Sequence, residues 1–336
     1  MKLALYANTH GIAFRDEVDL HARPVAVDQM QPVQVAQAAE RAGFHSMWFP
    51  DHVCMPVDSD SEHTANASGT RAYAARHNML DAQICMSAVA ASTQALGVGT
   101  TCLISPYRHP LSDARQLATL GALYPGRLMV GVAAGWMAEE YAALGLHIND
   151  RNSRLAECIE IYRRCWRDEL VGYEGDHYHF ESLSMDPKPA VVPPIVYGAI
   201  TPAGARRAAK LADGLYPMLL DPQAKPDRFA DLQEQVKRVL EDSGKGEDEF
   251  LMLCASSARI SNEPITADRP ICTGTAEQVL EDLAAYAANG YSMVVLAFDC
   301  PSASLAEFME QIHQAGEEIL PEAEKLTPGG SWKQVA

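Results

Sequence analysis

Several signatures that would assign a chemistry at once are missing from this chain of 336 residues. It has no G-x-S-x-G, H-E-x-x-H or Walker pattern, which weakens hydrolase, zinc-protease and nucleotidase readings. No G-x-G-x-x-G follows the first strand, and Gly97-Val98-Gly99 comes before a strand instead of opening a helix. None of the eight cysteines forms a C-x-x-C pair. Cys85, Cys158, Cys165 and Cys254 sit inside apolar periodic segments, where a thiol behaves as a small hydrophobe, so the expected compartment is a reducing cytoplasm. No apolar run reaches the length of a membrane span, and the opening MKLALYANTH reads as a first strand rather than a signal peptide. Positive charge is scarce: 27 Lys+Arg against 44 Asp+Glu give a net charge of −17. Nucleic acid and anionic membranes are therefore excluded as expected partners, and an anionic ligand must be held by helix N-termini and individual Arg side chains. A Pro/Gly/Ser-rich linker is also absent from the middle, which favours one domain over residues 1–325, with a mobile polar tail at 326–336.

What the chain does contain is a sizeable core, with 48% hydrophobic residues. The clearest unit covers residues 96–140. Residues 97–104 read as a buried strand, and Pro110 opens a helix whose apolar positions are Leu111, Ala114, Leu117, Leu120 and Tyr124. Pro125-Gly126 stops that helix, and residues 128–132 form a second apolar strand before the small turn Ala133-Ala134-Gly135. This is a parallel βαβ unit. Further strands are expected at 2–8, 45–50, 195–198, 214–218, 250–256 and 292–298, with helices between them. Eight strands alternating with helices make a (β/α)8 TIM barrel, an α/β fold, with an open doubly wound sheet as the alternative.

In a barrel, functional groups belong at the carboxyl ends of the strands. Those ends carry Asn8-Thr9-His10, Asp51-His52, Thr101 to Ile104, Ala133 to Trp136, Gly198 to Thr201, and Asp299-Cys300. Asp51-His52 is an ionisable pair on the rim, and His titrates near neutrality, so both are candidate catalytic residues. Gly198-Ala199-Ile200-Thr201-Pro202 is a small-residue turn into a helix, with Thr201 as N-cap and Pro202 at the first helical position. It is also a candidate phosphate site, assisted by Arg206 or Arg207 if either faces the turn. His177-x-His179 lacks a third ligand of matching spacing, so an exposed hairpin is expected there and no metal. Arg151 and Arg154 read as surface ion-pair residues. Met55, Tyr73, Tyr107, Trp136 and Met218 make the expected substrate pocket apolar.

Six stretches together resemble the bacterial luciferase-like superfamily, in the same order and across residues 30–300: AERAGFHSMWFPDHV, GVGTTCLISPYRHP, LATLGALYPGRLMVGVAAGWMAEEYAALG, RNSRLAECIEIYRRCW, MDPKPAVVPPIVYGAITPAGARRAAKLADG and GTAEQVLEDLAAYAANGYSMVVL. That superfamily comprises reduced-flavin-dependent monooxygenases and oxidoreductases of the deazaflavin coenzyme F420. GWMAEEYAALG, R-x-x-R and DPKP are most similar to the deazaflavin branch. The resemblance implies a (β/α)8 barrel with inserted segments, F420 as cofactor (alternatively FMN with oxygen), and hydride transfer to or from a small apolar substrate. A catalytically silent flavin-binding barrel is the third reading. It also implies a strand-three bulge at Thr101-Cys102, often a non-prolyl cis peptide, against the middle of the cofactor ring. His52 would lie at the reactive ring edge with Asp51 as its neighbour. Asn8, Ala134, Gly135, Gly198, Ala199 and Thr201 would complete the cofactor site, and the loops 54–78 and 259–273 would shape the substrate pocket. Trp136 stands where some deazaflavin dehydrogenases carry a catalytic Glu, which suggests a pocket wall at that position. A homodimer and a separate flavin or F420 reductase are the expected protein partners.

Overall fold

The computed structural model describes residues 1–9, 26–62, 78–219, 225–298 and 304–336. Eight parallel strands form the barrel: β1 (Lys2–Tyr6), β2 (Ser46–Phe49), β3 (Gly97–Thr100), β4 (Leu128–Ala133), β5 (Ile195–Tyr197), β6 (Gly214–Leu215), β7 (Leu251–Ile260) and β8 (Met293–Phe298). Neighbours pair in chain order, and β1 pairs with β8 through Ala4↔Val295. Pairing of β6 with β7 at Leu251↔Gly214 closes the ring, so the sheet is a barrel and not an open doubly wound sheet. A short stretch Met218–Leu219 continues along β7 after β6.

Around the ring lie α1 (Pro32–Ala42), α2 (Ala82–Ser92), α3 (Pro110–Leu123), α4 (Ala138–Ala143), α5 (Arg151–Arg167), α6 (Pro202–Leu211), α7 (Ala230–Asp242), α8 (Ala276–Ala288) and α9 (Leu305–Gln314). Period two and period 3.6 explain how the layers fit. Along β1, Ala4 and Tyr6 belong to the barrel interior, while Leu3 and Leu5 pack under the helices. The interior is filled by Trp48, Val196, Tyr216, Leu253 and Val295, as a packed barrel core requires. Gly99 sits where an added Cβ would be 2.8 Å from the Trp48 indole, so the second glycine of the G-x-G in β3 makes room for that ring. On α5 the stripe Leu155, Ile159, Tyr162 and Trp166 is buried, each side chain worth about 1.5–3 kcal/mol.

Three expectations need correction. The stretch 97–104 is not one strand: β3 ends at Thr100, the Thr101–Cys102 peptide bond is cis, and Leu103–Ile104 resumes pairing with β4. The loop expected at 259–273 is shorter, because β7 runs on to Ile260 and pairs with Thr273–Gly274. The segment expected as a mobile tail is docked: Trp332 is 4% exposed against Phe250, and the backbone N–H of Lys333 donates to Glu247 and Phe250. Burial of that indole together with these backbone hydrogen bonds anchors an otherwise polar segment. Among the described residues, no helix is long and apolar enough to cross a membrane.

Candidate active site

A cavity of about 340 Å³ opens across the carboxyl ends of β1 to β6, within the size range of small-molecule and cofactor sites. Its walls include Asp51 and His52 after β2, Thr101 and Cys102 after β3, Ala134 to Trp136 after β4, and Gly198 to Thr201 after β5. Tyr216 and Met218 enter from the β6 side, and Arg151, Asn152 and Arg207 from α5 and α6.

His52 and Asp51 are adjacent in sequence but differently engaged. The His52 ring nitrogen Nδ1 lies 2.6 Å from Oε2 of Glu140, a fully buried residue in the first turn of α4. The other carboxylate oxygen of Glu140 accepts the backbone N–H groups of Val53 (2.6 Å) and Cys54 (3.0 Å). Burial alone would push the Glu140 carboxyl up, but the His52 hydrogen bond and charge and the two N–H donors hold it below its ordinary value. Neighbouring Glu139 clamps the same segment further on, accepting from the backbone of Asp60 (2.8 Å) and the hydroxyl of Ser61 (2.7 Å). On the cavity side, the His52 ring meets Trp136 edge to face at 6.2 Å.

Asp51 turns away from this pair. Its two oxygens take both Arg108 nitrogens, at 2.7 and 2.6 Å, and one of them also accepts the N–H of Ile104 at 2.9 Å. The expectation of Asp51 as a second catalytic group therefore meets a carboxylate whose oxygens are committed to the chain just beyond Cys102. Thr101 is held from the barrel interior by a 2.8 Å hydrogen bond between its hydroxyl and that of Tyr216. The Cys102 thiol is buried, which together with the nearby Asp51 charge pushes it up to about 12. It therefore stays protonated and packs rather than reacts.

The turn after β5 is built as its sequence suggests. Thr201 caps α6 by accepting the N–H of Gly204 at 3.1 Å, with Pro202 in the first turn. Of the two arginines that could serve it, Arg207 lines the cavity, whereas Arg206 points outward to Gln235 at 2.7 Å. The Arg207 Nε is buried and has no hydrogen-bond partner among the described residues. Arg151, expected as a surface ion-pair residue, instead reaches the cavity from the start of α5 and donates to the Ile148 carbonyl at 2.9 Å. Two arginines and a capped helix N-terminus lining the same cavity suit an anionic group.

Several expected site residues are placed elsewhere. Tyr107 does not line the cavity; it packs on Tyr141 at 4.9 Å, beneath Gly135. Gly135 has φ of +75°, and an added Cβ would be 2.8 Å from Ile104 and 3.1 Å from the Tyr107 hydroxyl, so Tyr107 shapes the turn from behind. Asn8 lies past β1 outside the cavity wall, its side-chain oxygen buried without a hydrogen-bond partner among the described residues. Met55 and the 259–273 segment do not line the cavity, the latter being tied down by the Arg269–Asp282 pair at 2.5 Å. His177 bonds Ser153 at 2.7 Å and His179 pairs with Glu174 at 2.6 Å, both on the hairpin after α5. His10, Tyr73 and Asp299-Cys300 fall outside the described residues, as does most of the 54–78 loop. No local signal in the sequence marks Glu140, since two glutamates in the first turn of a helix ordinarily do no more than complement its dipole.

Comparison with known proteins agrees with this architecture. Residues 14–327 match the profile of the luciferase-like monooxygenases. An F420-dependent glucose-6-phosphate dehydrogenase of Microbacterium testaceum is 29% identical over 328 residues, covering 85% of this chain and 91% of that protein. The structure of an F420-dependent secondary alcohol dehydrogenase in complex with an F420-acetone adduct superposes with a TM-score of 0.73 at 19% identity, covering 96% of this chain and 98% of that one. The oxygenating constituent of 3,6-diketocamphane monooxygenase from Pseudomonas putida, in complex with FMN, gives a TM-score of 0.72 at 14% identity, covering 98% and 100%. These two structural likenesses speak to the fold.

Proposed function

The chain belongs to the luciferase-like monooxygenase family, and from that premise we propose that it is an oxidoreductase using the deazaflavin coenzyme F420 for hydride transfer to or from a small organic substrate. The observation that carries this reading is one cavity in which His52, held by a buried carboxylate, shares the wall with Arg207, whose buried Nε lacks a partner among the described residues. The first suits proton transfer beside a redox ring, the second the anionic chain that such a coenzyme carries. The F420-dependent relative aligned over most of the chain supports F420 in preference to FMN.

When bound, the coenzyme ring supplies or accepts the hydride at a substrate carbon. The protein's residues do the rest. Thr101, fixed by Tyr216, and the protonated Cys102 give the ring a wall that does not react. The N-terminus of α6, Arg207 and Arg151 orient the anionic chain. His52 takes the proton of a substrate hydroxyl on oxidation and returns it on reduction, at the nitrogen opposite Glu140. Trp136 walls the substrate beside His52 and keeps water from it.

The test is a titration of the purified protein with F420 and with FMN, oxidised and reduced, followed by turnover of alcohols and carbonyl compounds without oxygen. Binding of F420 with anaerobic turnover is expected. Binding of reduced FMN with turnover that requires oxygen would replace this reading with a monooxygenase. Tight coenzyme binding with no turnover of any kind would replace it with a silent flavin-binding barrel.

A further inference from the structure

Building on the role given to His52, we infer that Glu140 is the positioning residue that decides which nitrogen of His52 carries the proton, keeping it on Nδ1 so that Nε2 serves the reaction as acceptor. The argument is one of hydrogen-bond accounting. Oε1 of Glu140 is already taken by two backbone donors, the N–H groups of Val53 and Cys54, at 2.6 and 3.0 Å. Only Oε2 is left for the ring, and it lies 2.6 Å from Nδ1. A carboxylate oxygen only accepts, so Nδ1 must donate. Glu140 has no exposed surface, and the Tyr107 hydroxyl beside it is, like the two backbone N–H groups, a donor, so nothing around the carboxylate asks it to be anything but an acceptor. The lowered Glu140 carboxyl supports the acceptor-only state.

The same accounting makes a sharp statement about one substitution. In Glu140→Gln the side-chain carbonyl has to face Val53 and Cys54, since turning the amide would set its N–H₂ against two backbone donors. The N–H₂ then faces His52, Nδ1 must accept, and the proton moves to Nε2. The variant keeps the shape of the site and the hold on residues 53 and 54, but it presents a donor where the reaction needs an acceptor.

The experiment is long-range ¹H–¹⁵N correlation of histidine-labelled full-length protein through a pH titration, with the His52 signals assigned by Glu140-independent loss in His52→Gln. Neutral wild-type His52 is expected with a pyrrole-type Nδ1 and a pyridine-type Nε2, and Glu140→Gln with the two reversed. Glu139→Gln, which loosens the clamp on Asp60 and Ser61 without touching the ring, should keep the wild-type pattern. In turnover, Glu140→Gln should lower the rate of substrate oxidation by about 10²-fold or more while leaving the coenzyme Kd within about threefold. A wild-type proton on Nε2, or an unchanged tautomer in Glu140→Gln, overturns the inference. A reversed tautomer with undiminished turnover overturns instead the role of His52 as proton carrier. The spectra need no coenzyme, so failure of the F420 assignment is distinguishable from either result.

Discussion

Asp113 offers a direct test of how burial sets the energetics of this barrel. It lies on α3 with no exposed surface, accepting from Gln83 (2.9 Å, α2) and from the Tyr162 hydroxyl (2.9 Å, α5). Burial raises its carboxyl from 3.8 to about 6, with the Arg108 charge and the two hydrogen bonds recovering only part of the shift. The folded protein therefore holds this proton more tightly than the unfolded chain does. The resulting stabilisation is fully present below about pH 4 and is lost as pH rises through about 6. A rise of two units corresponds to about 3 kcal/mol, which is the largest effect this group can exert. In Asp113→Asn, Tyr162 can still donate to the amide oxygen. The new N–H₂ can reach Oε1 of Gln83, which has no partner among the described residues, once that amide turns over. Urea unfolding at pH 4 to 8 should show Asp113→Asn gaining on the wild type by about 1–3 kcal/mol from the lower end to the upper, with about half of that gain already present at pH 5. A difference between the two proteins that stays constant across that range would refute the reasoning. So would a variant that is markedly less stable at pH 8.

Asp51→Ala leaves the Arg108 guanidinium, 19% exposed, without its bidentate partner and the Ile104 N–H unsatisfied. Thermal unfolding should register a loss of about 3 kcal/mol, at the low end for a buried pair because Asp81 waits 3.8 Å from Arg108; a wild-type midpoint would count against the clamp. In Gly198→Ala the new Cβ would stand 2.7 Å from the Cys102 sulfur, so F420 affinity should fall about tenfold and recover when Cys102→Ala is added; fluorescence titration reads both, and a double variant as weak as the single one refutes the contact. Trp332→Ala should cost about 3 kcal/mol in urea unfolding, and no change would mean that the C-terminal segment contributes nothing.

The strand-and-helix alternation was legible from periodicity alone, and so were Thr201 with Pro202 as a helix start and the inward stripe of α5, because each depends on neighbours within about a turn of chain. The resemblance supplied the position of Thr101–Cys102, which composition and period could not. Adjacent residues defeated the local reading: His52 faces the cavity while Asp51 is spent on Arg108, and Arg207 faces it while Arg206 looks outward. Glu140 belongs with these, since nothing in its own helix announces a histidine partner.

What the sequence determined by itself is the repeat of buried strand and amphipathic helix, whose free energy is banked locally in side-chain burial and capped helix ends. What only the tertiary structure decided is the pairing of charges. The partner of Asp51 lies 57 residues along the chain and that of His52 lies 88 away. Those distances collapse only when the ring closes, and a carboxylate's partner is whichever donor closure brings within reach of it in the absence of water.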